Sequence, residues 1–125
     1  MPTIPTNRRL LRRWLTLWLE ERRRARAATH VGPTVPNAPA NLSAVDWGTF
    51  IQLDWQDMSD NETGFRLYRR DGAGAYALYQ ILLANVTTYQ DSGVIFEHSY
   101  RYYVTAYNAV GESAPSDEVL ITFGA

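Results

Sequence analysis

The run Ser99–Ser113, SYRYYVTAYNAVGES, constrains this chain more than any other stretch. Aromatic and small apolar residues alternate at period two and then give way to a turn containing Gly111 and Ser113. That alternation puts Tyr100, Tyr102, Val104 and Ala106 on one face of a strand and Arg101, Tyr103, Thr105 and Tyr107 on the other. A strand with one apolar face and one mixed face suits an antiparallel sheet that is buried on one side.

Other short stretches repeat the signal between turn residues. They lie near Ala38–Val45, Thr49–Trp55, Gly64–Arg70, Ala75–Ile81, Val86–Tyr89 and Glu118–Phe123, with the long strand at His98–Asn108. Ile51, Leu53 and Trp55 share a face, as do Phe65 and Leu67. Asp71-Gly72-Ala73-Gly74 reads as a hairpin turn, because glycine takes positive φ without a clash. Seven such strands predict an all-β, seven-stranded immunoglobulin-like sandwich preceded by one amphipathic helix. The 125 residues contain no cysteine, which rules out disulfides and thiolate metal sites. All 12 basic residues are arginine; codon usage explains this more simply than selection for bidentate carboxylate or phosphate recognition.

Charge divides the chain. Residues 1–30 hold eight arginines against Glu20 and Glu21, net +6; the remainder holds Arg66, Arg69, Arg70 and Arg101 against eleven acidic residues, net −7. The expected organisation is a basic helical arm at 1–28, a proline-rich linker at 29–40 and the sandwich at 41–125. At about 100° per residue, Leu10, Leu11, Trp14, Leu15, Leu17, Trp18 and Leu19 fill an arc of about 200°. Arg8 and Arg9 fall in the first turn, where the helix dipole disfavours cations, so local stability does not explain them. Arg12 and Arg13 interrupt the apolar run. This argues against a signal peptide, and the run is far short of the ~20 residues that span a bilayer.

In order along the chain, Pro39-Ala40-Asn41-Leu42, Leu53-Asp54-Trp55, Asp60 to Arg69 (DNETGFRLYR), Thr87-Thr88-Tyr89-Gln90-Asp91 and Tyr100 to Asn108 with Gly111-Glu112-Ser113 resemble a fibronectin type III domain of the bacterial and phage-borne kind. The resemblance covers residues 37–125. It implies that Trp55 is the core plug and that Tyr100 supplies a corner hydroxyl bonded to upstream backbone. The corner before Tyr100, Val94–Ser99, lacks the family's usual Pro-Gly turn. The arm is unrelated to the family, and Arg70-Asp71-Gly72 has the wrong order for its integrin-binding tripeptide.

Catalysis is not expected. The two histidines, His30 and His98, form no triad spacing, and no nucleophile elbow is present. Neither a cofactor nor a metal site is expected: Asp57, Asp60 and Glu62 cluster without EF-hand spacing and read as loop-closing side chains. Asn41, Asn61 and Asn85 fit the glycosylation pattern and, without a secretory signal, are read as chance matches. Arg66, Tyr68, Arg70, Arg101, Tyr103 and Tyr107 are the candidate binding face; plain cross-strand pairing is the alternative. The anchor helix is read as Arg8, Arg9, Leu10, Leu11, Arg12, Arg13, Trp14, Leu15, Leu17 and Trp18. Its favoured partner is a protein groove. A membrane surface and a fold-back over the sandwich remain open, and nucleic acid is disfavoured because phosphate binding needs no apolar arc. The expected function is a structural or interaction subunit of a larger assembly, such as a virion or a membrane-associated complex. The alternative is a free-standing carbohydrate- or protein-binding module using the sandwich face or the loops at 57–63 and 108–115.

Overall fold

The computed structural model describes residues 32–125. The anchor helix and its named residues lie outside the described residues. Within them, seven strands follow in order: β1 (Ala40–Asp46), β2 (Ile51–Gln56), β3 (Gly64–Asp71), β4 (Ala77–Leu83), β5 (Thr88–Asp91), β6 (Ser99–Tyr107) and β7 (Val119–Thr122). They form two antiparallel sheets, β1-β2-β5 and β4-β3-β6-β7.

Sequence parity fixes which side chains meet between the sheets. Ile51 and Leu53 of β2, Phe65 and Leu67 of β3, and Tyr100, Tyr102, Val104 and Ala106 of β6 are all fully buried. Trp55 sits among them with its ring edge-to-face on Phe65, centroids 5.8 Å apart. Each of the isoleucine, leucine, phenylalanine and valine side chains among these contributes about 1.5–3 kcal/mol by leaving water.

Four strands, β1, β2, β4 and β5, begin two residues later than the periodicity predicts. β4 starts at Ala77 because the Asp71–Gly74 turn, closed by Gly74 N–H donating to the Asp71 carbonyl, is followed by Ala75 and Tyr76 outside the ladder, with Tyr76 packed on Tyr103. β5 starts at Thr88 because Leu83–Val86 forms a turn with Asn85 at φ +66°. The spacer expected over 29–40 is also not uniform: Pro36 and Pro39 are buried, and from Thr34 onward the chain belongs to the compact body.

The altered corner before β6 solves its turn without glycine. His98 N–H donates to the Ile95 carbonyl at 3.1 Å, and Glu97 takes φ +69°. Tyr100 is fully buried, and its hydroxyl accepts a hydrogen bond from Ile95 N–H at 2.8 Å.

Candidate interaction face

The register of β3 against β6 brings the candidate face together. Arg66 lies opposite Thr105, Tyr68 opposite Tyr103, Arg70 opposite Arg101 and Gly64 opposite Tyr107. All these side chains lie on the outer side of the four-stranded sheet, because their neighbours in sequence fill the core. Tyr68 and Tyr103 stack, centroids 4.7 Å apart and planes 18° apart; Tyr76 meets Tyr103 edge-on at 4.7 Å. The Arg66 guanidinium lies 4.4 Å above the Tyr107 ring. Gly64 makes this arrangement possible: a Cβ there would meet the Leu82 carbonyl at 2.2 Å and the Tyr107 hydroxyl at 3.0 Å.

Two carboxylates hold the polar tips. Glu112 accepts from the Tyr68 hydroxyl at 2.6 Å, from Arg66 Nη1 at 3.3 Å and from the Thr105 hydroxyl. Glu118 accepts from the Tyr76 hydroxyl and from Arg101 Nη1 at 3.1 Å. Arg70 bonds only the Gly72 carbonyl and has no carboxylate partner among the described residues. Thr105 shares the outer parity yet is buried, because Glu112 bridges back to Tyr107 and covers it. Partial burial pushes Glu112 up, but the hydrogen bonds from Thr105 and Tyr68 and the Arg66 charge outweigh it and hold the carboxyl below its ordinary value. Burial, the hydrogen bond to Glu112 and its charge push the Tyr68 hydroxyl up to about 12. Beside this ladder, Leu78, Ile81 and Leu83 of β4 are 48%, 57% and 79% exposed.

The inner side of the same sheet holds a polar cluster that spacing did not single out. Asp91, fully buried at the end of β5, accepts from the Tyr79 hydroxyl (2.7 Å), the Tyr102 hydroxyl (2.7 Å), Arg69 Nη1 (3.0 Å) and Gly93 N–H (3.0 Å). The Arg69 guanidinium also stacks 3.8 Å from the Tyr79 ring centroid. The signal was parity: Arg69 follows Phe65 and Leu67 on the core side of β3, and a buried guanidinium requires a buried carboxylate.

The loops proposed as an alternative site are covered in part by the chain that leads into β1. Asn61 and Asn108 both donate their amides to the Thr34 carbonyl, at 3.1 and 2.8 Å, and Asn37 donates to the Met58 carbonyl at 3.0 Å. Ser59 ties Asp57 to Glu62: its hydroxyl lies 3.3 Å from Asp57 Oδ1 and 2.8 Å from Glu62 Oε2, and its N–H donates to Asp57. His98 Nδ1 lies 3.0 Å from the Asp71 carboxylate, linking the corner to the β3–β4 turn. Among the described residues, no group of three or more His, Cys, Asp or Glu side chains is placed to hold a metal ion.

No protein-family model matches the chain. Among curated proteins it is similar to segments of two amylopullulanases. It is 31% identical over 83 residues to that of Thermoanaerobacterium saccharolyticum and 32% over 90 residues to that of Thermoanaerobacterium thermosulfurigenes. The matches cover 65% and 70% of this chain but only 6% and 5% of those much longer proteins. An Fn3-like protein from Clostridium thermocellum superposes with a TM-score of 0.61 at 26% identity, over 72% of this chain and 95% of that one. The FN1–FN3 domains of chicken CNTN1 superpose with a TM-score of 0.62 at 20% identity, over 75% of this chain and 34% of that one. With three strands facing four, a buried Trp55 and a Tyr100 hydroxyl bonded to upstream backbone, the body of this chain has the fibronectin type III fold.

Proposed function

We propose that this protein is a non-catalytic interaction subunit of a larger assembly, attached through its arm and presenting the outer face of β3 and β6 to a protein partner. One observation carries this reading: three tyrosines and three arginines share one solvent-facing sheet surface, bordered by exposed leucine and isoleucine. Tyrosine and arginine are the residue types that concentrate binding energy at protein interfaces. The similarity to segments of much longer proteins supports a modular role. The opposed charges of arm and body, +6 and −7, support a division of labour between attachment and presentation. A virion or a membrane-associated complex is the setting this division fits.

Co-purification from the native source tests it. Trp14→Ala with Trp18→Ala is expected to release the protein from its assembly while the sandwich stays folded. Tyr68→Ala with Tyr103→Ala is expected to leave the arm's attachment intact and to abolish the second contact. Unchanged recovery of every partner with both double variants would refute the reading.

A second reading, a free-standing carbohydrate-binding module, is favoured by the amylopullulanase similarity. It predicts that pullulan binds the isolated protein, and that deleting residues 1–33 leaves that binding unchanged.

A further inference from the structure

We propose that β4 is a self-association edge, and that two copies of this chain pair antiparallel through residues Ile81–Leu83 into one continuous eight-stranded sheet. The inference does not rest on the function proposed above.

Among the described residues, four strands have a free side: β4 and β7 in one sheet, β1 and β5 in the other. Free edges invite pairing unless something blunts them. β7 and β5 are only four residues long, and β7 is preceded by Asp117 and Glu118. β1 is kinked by a register shift between Ala40 and Ser43, where Asn41 takes φ +55°. β4 has seven residues, and no charged side chain or proline occurs anywhere from residue 72 to residue 90. Its irregularity lies toward the Leu78 end, where Leu67 pairs with Gln80 and Tyr68 with Leu78. Gln80–Leu83 is regular.

The register follows from backbone direction. A Cβ on Gly64 would touch the Leu82 carbonyl oxygen, so that carbonyl faces β3. Backbone groups alternate sides along a strand, so the amides of Ile81 and Leu83 face the open edge. A two-fold axis at Leu82 sets Ile81 of each copy opposite Leu83 of the other as a hydrogen-bonded pair. Both side chains lie on the outer face, 57% and 79% exposed, so each pairing covers apolar surface twice over. The occupant is a second copy because the edge is self-complementary: under the two-fold, exposed Ile81 meets exposed Leu83 at both ends. Residues 34–125 carry −7, so two bodies repel over most of their surface, and the uncharged edge is where they approach without like charges in contact. One strand per copy buries less than the ~1,200 Å² of a standard stable interface, so the pair is weak and concentration-dependent.

Sedimentation equilibrium of the full chain tests this, run also in the Trp14→Ala, Trp18→Ala background so that association through the arm is not mistaken for it. A reversible monomer–dimer equilibrium is expected in both backgrounds. Leu83→Glu should abolish it, and Leu120→Glu on β7, also an exposed position, should not. The chain has no cysteine, so introduced thiols report geometry cleanly. Directly opposite residues stand about 5.5 Å apart at Cα, within disulfide reach. A mixture of Ile81→Cys and Leu83→Cys proteins should therefore cross-link under mild oxidation, and each alone should not. A monomer up to about 1 mM, a dimer that survives Leu83→Glu, or equal cross-linking by each single variant would overturn the proposal.

Discussion

Strands β3 and β6 carry an arginine–carboxylate–tyrosine cluster on each side of one sheet, and the two clusters do different work. On the inner side, Arg69, Asp91, Tyr79 and Tyr102 close around a carboxylate with no solvent exposure. On the outer side, Arg66, Glu112, Tyr68 and Thr105 make a similar set of bonds with about a third of both charged side chains in water. Water accounts for the contrast. A buried carboxylate that loses its partners, or a guanidinium that loses its carboxylate, keeps the full desolvation penalty. At the surface, solvent replaces the lost partner, and the pair is worth little. The inner cluster therefore belongs to the fold, whereas the outer one is free to be remodelled by a partner at small expense in stability.

The largest expected effect is on Asp91. Asp91→Ala takes the carboxylate from Arg69, which is only one-fifth exposed, and the acceptor from the buried Tyr102 and half-buried Tyr79 hydroxyls at once, and should destabilise the domain by about 3–5 kcal/mol in urea unfolding. The matched outer change, Glu112→Ala, should cost under about 1 kcal/mol. Comparable losses would erase the distinction between the two sides.

Tyr102→Phe comes next. It removes one donor to Asp91 and leaves the remaining three, so the expected loss is about 1–3 kcal/mol, that of one charge-assisted hydrogen bond. Tyr100→Phe falls in the same range, because it leaves Ile95 N–H without its acceptor. A loss from Tyr102→Phe as large as that from Asp91→Ala would mean that the cluster acts all-or-none.

The outer side was more legible in the sequence than the inner side. Strict alternation from Tyr100 to Tyr107 places both faces of β6, and the parity of Phe65 and Leu67 places Arg66, Tyr68 and Arg70 beside it. The inner cluster was hidden because Asp91 meets Tyr102, Tyr79 and Arg69 from 11, 12 and 22 residues away, with no local spacing to mark them. Only Arg69 on a core parity hinted at it. The clasp of Asn61 and Asn108 on Thr34 spans 27 and 74 residues and was equally invisible. What a periodic pattern encodes is which face a side chain takes; which distant group meets it there depends on how the sheets stack.

Alkaline titration separates the clusters by a different route. Burial first, then the hydrogen bond to a carboxylate and its charge, push Tyr68 and Tyr79 each up to about 12 from 10.0. A folded-state pKa above the unfolded value means that the stabilisation is complete below pH 10 and is lost as pH rises toward 12. Tyr68→Phe and Tyr79→Phe should each flatten part of that decline. High salt should shrink the Tyr68 share, whose partner Glu112 is partly solvated, and leave the Tyr79 share nearly unchanged. Equal salt sensitivity would place both carboxylates in the same dielectric environment, against their burial.

The smallest effect expected is that of Glu112→Gln, and its pH dependence is what makes it informative. The amide keeps an acceptor for Tyr68 and Thr105 but surrenders the charge that faces Arg66. Because bonding holds the folded carboxyl below its unfolded value, the charge stabilises the domain above about pH 4.3 and ceases to do so as pH falls through the folded value. Parent and variant should thus differ by at most about 1 kcal/mol at neutral pH and converge in acid. High salt should narrow the gap further, since the pair is about one-third exposed. A gap that persisted in acid would locate the effect in packing over buried Thr105 rather than in charge. The outer cluster would then be a cover for the strand beneath it, fixed in place like Asp91, and a poor surface for a partner to rearrange.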